Sequence, residues 1–285
     1  MHDITTVAAA LDAAEAQLPN LRPGCQKQIV WANRPAARTP VALVYVHGFS
    51  AAPAETRPLP DLIAKSLGAN IFFTRLTGHG QDGAAMAEAR FADWQRDMAE
   101  AISIGQLLGE ELILMGCSTG CTLSTLALAG GVQAKAMIHI SPNFGLRSRL
   151  AQFMLDLPGA PYWGHLVAGR TRSFAPISDA HAANWTTQYP TKAVHPMAEA
   201  VRAVRKADLS VIQTPAYFAY NEDDQVVDAV QTRKVIARWG APYLVDLLMQ
   251  GPDDDASGHV MAGDVFSPKQ TAPLAGRISD WVAML

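Results

Sequence analysis

The chain is poor in charge and in cysteine, and it has no long apolar run. Only 17% of its 285 residues are Asp, Glu, Lys or Arg, and the formal net charge is −3. No basic block stands out, so a nucleic-acid partner has no electrostatic footprint. No apolar stretch approaches the ~20 residues needed to cross a bilayer, and no membrane span is expected. The first twenty residues hold neither Lys nor Arg nor an apolar core, which speaks against a secretory signal. Three cysteines, an odd number, do not build a disulfide framework. Cys117 and Cys121 read as small buried hydrophobes. These absences together point to the cytoplasm. Apolar residues are plentiful at 49%. That is enough for a large core, in one α/β domain with an insertion or in two small domains.

The apolar residues come in short runs separated by helical stripes. Lys27 to Trp31 reads as an edge strand, and Val41 to Val46 as a strand buried on both faces. Ala69–Leu76, Glu111–Met115, Ala136–Ile140, Ala216–Tyr220 and Tyr243–Leu248 continue the series. Between them, Arg57–Leu67, the Phe91, Trp94, Met98 and Ile102 stripe, Cys121–Leu128, Val227–Trp239 and Pro273–Leu285 read as helices. Strand and helix in alternation imply an α/β fold with a mostly parallel, doubly wound sheet.

One stretch breaks the rhythm. Between Ser141 and Pro215 lie roughly seventy residues where a connection of a few suffices. It is punctuated by Pro158, Pro161, Pro176, Pro190 and Pro196 and carries Phe153, Met154, Tyr162, Trp163 and Trp185. Residues 146–210 are expected to form an inserted helical cap over the carboxyl ends of the strands, where open α/β sheets bind ligands. Residues 1–145 and 211–285 then form the core. A second structural lobe is the alternative.

The chemistry-bearing motif is Gly116-Cys117-Ser118-Thr119-Gly120, set between a strand and a small-residue helix. Strand, G-x-S-x-G and helix make a nucleophile elbow, which pushes the serine hydroxyl out of the sheet. Serine needs a base, and histidine titrates in the useful range. Of eight histidines, His259 follows the last strand in a glycine-preceded loop, whereas His139 lies inside a strand. The imidazole needs a carboxylate to hold its tautomer. Glu222, Asp223, Asp224 and Asp228 compete at the end of the Tyr220 strand, and Asp224 is favoured by its place just before Val226-Val227. Asp253, Asp254 and Asp255 read as a solvated loop, because adjacent like charges resist joint burial. Two N–H donors are expected to face the developing oxyanion: that of Thr119, after the nucleophile, and that of Phe49, after His47-Gly48. Ser50, Met154 and Trp163 are candidates for lining the substrate.

Taken together, His47-Gly48-Phe49, Thr77-Gly78-His79-Gly80, the elbow, Asp224-Gln225-Val226-Val227 and Ser257-Gly258-His259-Val260 resemble the serine α/β-hydrolase superfamily. Within it they look like the carboxylesterase and monoacylglycerol-lipase-like branch. The resemblance spans about residues 40–285. It implies the α/β-hydrolase fold, a Ser–His–Asp triad in that chain order, no metal or other cofactor, and a cap that shapes the acyl pocket. Members often carry glycine three residues before the acid, where this chain has Asn221.

The expected activity is hydrolysis of uncharged acyl or aryl esters through an acyl-enzyme, on a small-molecule substrate. A thioesterase, an acyltransferase or a carbon–carbon bond hydrolase would use the same three residues. A non-catalytic binding module on the same scaffold is the reading from a different class. The oligomeric state is not legible.

Overall fold

The computed structural model describes residues 3–157 and 169–285. Seven strands form the central sheet: β1 (Gln28–Val30), β2 (Thr39–Val46), β3 (Asn70–Phe73), β4 (Gly109–Cys117), β5 (Ala136–Ile140), β8 (Ala216–Tyr220) and β9 (Tyr243–Leu247). Their spatial order is β1-β3-β2-β4-β5-β8-β9. All neighbours run parallel except β1, which lies antiparallel on the β3 edge.

The helices are α1 (Val7–Glu15), α2 (Leu59–Leu67), α3 (Gly83–Glu88), α4 (Phe91–Leu108), α5 (Thr119–Ala129), α6 (Arg149–Asp156), α7 (Asp179–Asn184), α8 (His195–Lys206), α9 (Ala229–Ile236) and α10 (Pro268–Ala283). The period-two alternation of the strands sorts the core into two layers. Ala42, Val44 and Val46 of β2 join Leu112 and Leu114 of β4 under α4, α5, α8 and α9. Val41, Leu43 and Tyr45 join Ile113, Met115 and Cys117 on the other face, under α2 and α10. A sheet covered on both faces must be apolar on both, which is why these strands read as unbroken apolar runs. Helix α10 starts at Pro268, five residues before the expected Pro273. Proline at the first helical position lacks only an N–H that has no intrahelical acceptor there.

The sheet grows outward in both directions from β2 and β4. The loops after these two strands therefore flank the point where the strand order reverses, the usual ligand crevice of open α/β sheets. Val46 pairs with Gly116 in the parallel register, so the His47 loop and the elbow leave the sheet side by side.

The 146–210 stretch, expected as one cap, is not uniform. Its last helix, α8, packs on α4 and α5 and buries Met197, Ala200 and Val204 in the core layer. Nearer its start, α6 has no buried residue, and β6 (Thr171–Ser173) pairs antiparallel with β7 (Gln188–Pro190) in a small separate sheet. Trp163, with Tyr162 and His165, lies outside the described residues. Among the described residues, no helix is long and apolar enough to cross a membrane.

Candidate active site

Ser118 stands between β4 and α5 with φ 49° and ψ −112°, a conformation costly for any residue with a side chain. The flanking glycines make it attainable. A Cβ on Gly120 would lie 2.0 Å from the Val46 carbonyl oxygen, and one on Gly116 2.6 Å from the Cys121 nitrogen. The Ser118 N–H is held by the Ile140 carbonyl at 3.0 Å. Ser118→Gly keeps the turn and relieves the strain, so its thermal midpoint is expected at or above that of the wild type, measurable by calorimetry.

The hydroxyl of Ser118 donates to His259 Nε2 at 3.0 Å, and His259 Nδ1 donates to Asp224 Oδ2 at 2.7 Å. All three are nearly buried, at 6%, 7% and 1% exposure, so their mutual attraction is weakly screened. Asp224 is locked in turn: its Oδ1 accepts the Val226 N–H at 2.7 Å and the Val227 N–H at 2.9 Å. The two valines thus fix the acid through their amides and precede α9, which begins at Ala229 with Asp228 as its cap. Asn221 has no positive φ; instead its Oδ1 accepts the Asp223 N–H at 3.0 Å and shapes the same turn.

Asp255 is not part of a solvated loop. It is 8% exposed, and its Oδ2 accepts the N–H groups of His259 at 3.1 Å and Val260 at 2.7 Å and the Ser257 hydroxyl at 2.7 Å. Asp253 remains exposed, in an ion pair with Lys269. The three acids escape joint burial because one alone turns inward. Asp255→Ala leaves these donors buried without acceptors, and each such loss costs about 1–3 kcal/mol. The variant is expected to melt well below the wild type and to turn over more slowly, because the His259 loop loosens.

Burial alone would lower the pKa of His259. The charge of Asp224 and its hydrogen bond outweigh that, with help from Glu55 and Asp255, and the net shift is upward from 6.5. A histidine base acts only when neutral. Activity should therefore fall as pH drops through this raised value, with the half-maximal point of kcat/KM above about pH 6.5. An acid limb centred below that value in a pH–rate profile would contradict the assignment.

The second loop of the site is built by histidine and aromatic packing. The Leu76 N–H donates to His47 Nε2 at 3.1 Å, so the ring hydrogen sits on Nδ1, which donates to the Gly48 carbonyl at 2.8 Å. Burial lowers the His47 pKa to about 4, which keeps this neutral tautomer. With its carbonyl so tied, the Gly48–Phe49 peptide turns its N–H the other way. The Phe49 ring is held edge-on by His79 at 5.9 Å and Tyr189 of β7 at 5.3 Å. The Thr186 N–H donates to the Ser50 carbonyl at 2.7 Å, and Ser50 itself sits at φ 63°. The Thr119 N–H, first in α5, has no intrahelical acceptor. The Phe49 N–H donates to no group among the described residues. Met154 lies half-buried on α6. Among the described residues, no cluster of His, Cys, Asp and Glu is placed to hold a metal ion. Sequence reading missed two acids, Asp255 and Glu55; for Glu55 the only local cue is an isolated acid in Pro53–Thr56.

A parallel sheet whose reversal point carries a strained serine bonded to a His–Asp pair defines the serine hydrolases of the α/β-hydrolase fold. The family model for serine aminopeptidase, S33 (Hydrolase_4), matches residues 38–244, and the chain belongs to this family. The matched span includes Ser118 and Asp224 and ends before His259. A thermostable monoacylglycerol lipase from Bacillus sp. (strain H-257) is 35% identical over 94 residues. That match spans 33% of this chain and only 37% of the lipase. Among solved structures, one from work on LipS and LipT, two metagenome-derived lipolytic enzymes, superposes with TM-score 0.75 at 18% identity, over 93% of this chain and all of the other. A soluble variant of monoglyceride lipase from Saccharomyces cerevisiae, bound to a substrate analogue, gives TM-score 0.65 at 13% identity, over 91% and 90% of the two chains. At such identities these structures establish the shared fold.

Proposed function

We propose that the chain hydrolyses carboxylic esters of uncharged acyl or aryl type through a Ser–His–Asp triad. The observation that carries this reading is the continuous hydrogen-bonded line from the Ser118 hydroxyl through His259 to Asp224. Ser118 Oγ attacks the ester carbonyl while His259 Nε2 takes its proton. Asp224 holds the Nδ1–H tautomer and stabilises the imidazolium. The N–H groups of Phe49 and Thr119 receive the oxyanion, aided by the positive end of α5. His259 then gives the proton to the leaving alcohol. In the second half-reaction it activates water, which releases the acid and restores Ser118.

Support for an ester substrate comes from the likeness to the Bacillus lipase over the aligned third of the chain, so monoacylglycerols belong in the first assay. The part of residues 146–210 that precedes α8 serves as the cap in this reading. Its stretch Thr186–Tyr189 touches the Ser50 carbonyl and the Phe49 ring. Tyr189→Ala removes one wall of the Phe49 ring and is expected to lower kcat about tenfold, with a fall in melting temperature because Tyr189 is buried in the core. Three unpaired, buried cysteines suit a reducing compartment, and we place the enzyme in the cytoplasm. A series of p-nitrophenyl esters and monoacylglycerols of graded chain length, run beside acyl thioesters, tests the substrate class. Faster turnover of thioesters than of matched oxygen esters would replace the esterase reading with a thioesterase.

A further inference from the structure

Glu55 is a buried acid at the site that the relay does not use. It lies in the short turn Pro53–Thr56 after β2 and is 2% exposed. Its Oε2 accepts the Gly48 N–H at 2.7 Å and the Tyr45 hydroxyl at 3.1 Å. Cys117, the residue before the nucleophile, also lies beside the carboxyl. A methyl group on Gly48 would lie 2.6 Å from Glu55 Oε1 and 3.2 Å from Ser118 Cβ. Carboxyl and nucleophile are thus pressed against the same glycine, whose successor offers the oxyanion N–H. The turn is wedged on its other side as well. A Cβ on Gly263, in the loop that follows His259, would meet the Glu55 carbonyl at 2.8 Å.

A neutral residue would pack here without the desolvation cost of an acid, so the charge needs a reason. Among the described residues, no Lys or Arg forms an ion pair with Glu55. A buried carboxylate without a cation is unfavourable, and burial pushes its pKa up, opposed by the Gly48 N–H, by His259, and by Cys117 and Tyr45. The one cation the site creates is the imidazolium of His259, formed while the oxyanion forms. We propose that Glu55 is a positioning residue, anchoring the Gly48–Phe49 loop by its carboxylate and adding negative charge toward His259 when the imidazolium appears. The inference rests on the Ser–His–Asp mechanism above. The groups that share this field are Asp224 from the loop after β8, Asp255 from the His259 loop, Tyr45 from β2, Cys117 from β4 and Cys121 from α5.

Two variants separate anchor from charge. In Glu55→Gln the amide oxygen takes the place of Oε2 and still accepts from the Gly48 N–H and the Tyr45 hydroxyl, with the NH₂ in the place of Oε1, so the charge goes and the anchor stays. KM for p-nitrophenyl butyrate should stay within about twofold, and kcat should fall about tenfold. The acid limb of the kcat/KM profile should move down by about one pH unit, because His259 has lost an anionic neighbour. In Glu55→Ala the Gly48 N–H loses its acceptor. There kcat should fall about 100-fold, and affinity for a trifluoromethyl ketone, which mimics the oxyanion, should fall in parallel. A merely structural Glu55 would lower the melting temperature of both variants and leave the acid limb of Glu55→Gln in place. That result would overturn the inference. If Glu55→Ala does not fold, Glu55→Gln decides alone. An active wild type with an unaffected Glu55→Gln removes this inference only; a wild type that hydrolyses no ester and whose Ser118 does not react removes the mechanism and the inference together.

Discussion

Replacing Ser118 by alanine is expected to lower kcat for an activated ester by about 10⁵- to 10⁶-fold, the scale seen when a triad nucleophile is removed. The reason is local. Alanine fits the elbow, since the backbone is shaped by Gly116 and Gly120 and not by the hydroxyl. The fold should persist, and circular dichroism and the melting temperature should match the wild type. What vanishes is the hydroxyl hydrogen-bonded to His259 Nε2. The residual rate would come from Phe49, Thr119 and His259 acting on water. Steady-state turnover of p-nitrophenyl acetate checks the prediction; a loss of less than tenfold in a folded variant would mean that Ser118 is not the nucleophile.

Asp224→Asn should cost about 10⁴-fold in kcat, with KM little changed. Here the hydrogen bonds dictate the outcome. Asp224 Oδ1 is tied to the Val226 and Val227 N–H groups, so the amide oxygen of asparagine would take that place. Its NH₂ would then face His259 Nδ1 and force the ring hydrogen onto Nε2. In that tautomer the imidazole has no lone pair for the Ser118 proton. The nitrogen chemical shifts of His259 report the tautomer directly and should switch between the wild type and the variant. Near-wild-type turnover by the asparagine variant would show that some other acid orients His259.

The layered sheet and the line from Ser118 to His259 were open to reading because each depends on local chemistry. A strand covered on both faces must be apolar throughout, so β2, β4, β5 and β8 announced themselves. The elbow needs glycine at both ends, so Ser118 did too. Asp224 was harder, with three competing acids nearby; its place before two amides that hold it is a property of the turn. Asp255 went the wrong way because neighbouring acids along a chain say nothing about which one turns inward. Glu55 left no more than an isolated acid in a short turn. Its hydrogen-bond partners, Tyr45 and Gly48, lie on β2 and just after it, and Cys117 comes beside it only when β2 and β4 pair. Where the insertion ends was not legible for a similar reason. Met197, Val201 and Val204 form the same helical stripe whether they cover a cap or the core, and only the packing of α8 on α4 and α5 distinguishes the two.

An activated serine is the centre of this account, and its reactivity can be measured without knowing the substrate. Treat the intact wild-type chain with a fluorophosphonate and determine the mass and the modified peptide. One adduct per chain, on Ser118, with a labelling rate that falls as His259 gains its proton, is the predicted result. A folded chain left unmodified, or modified at another residue, would contradict it.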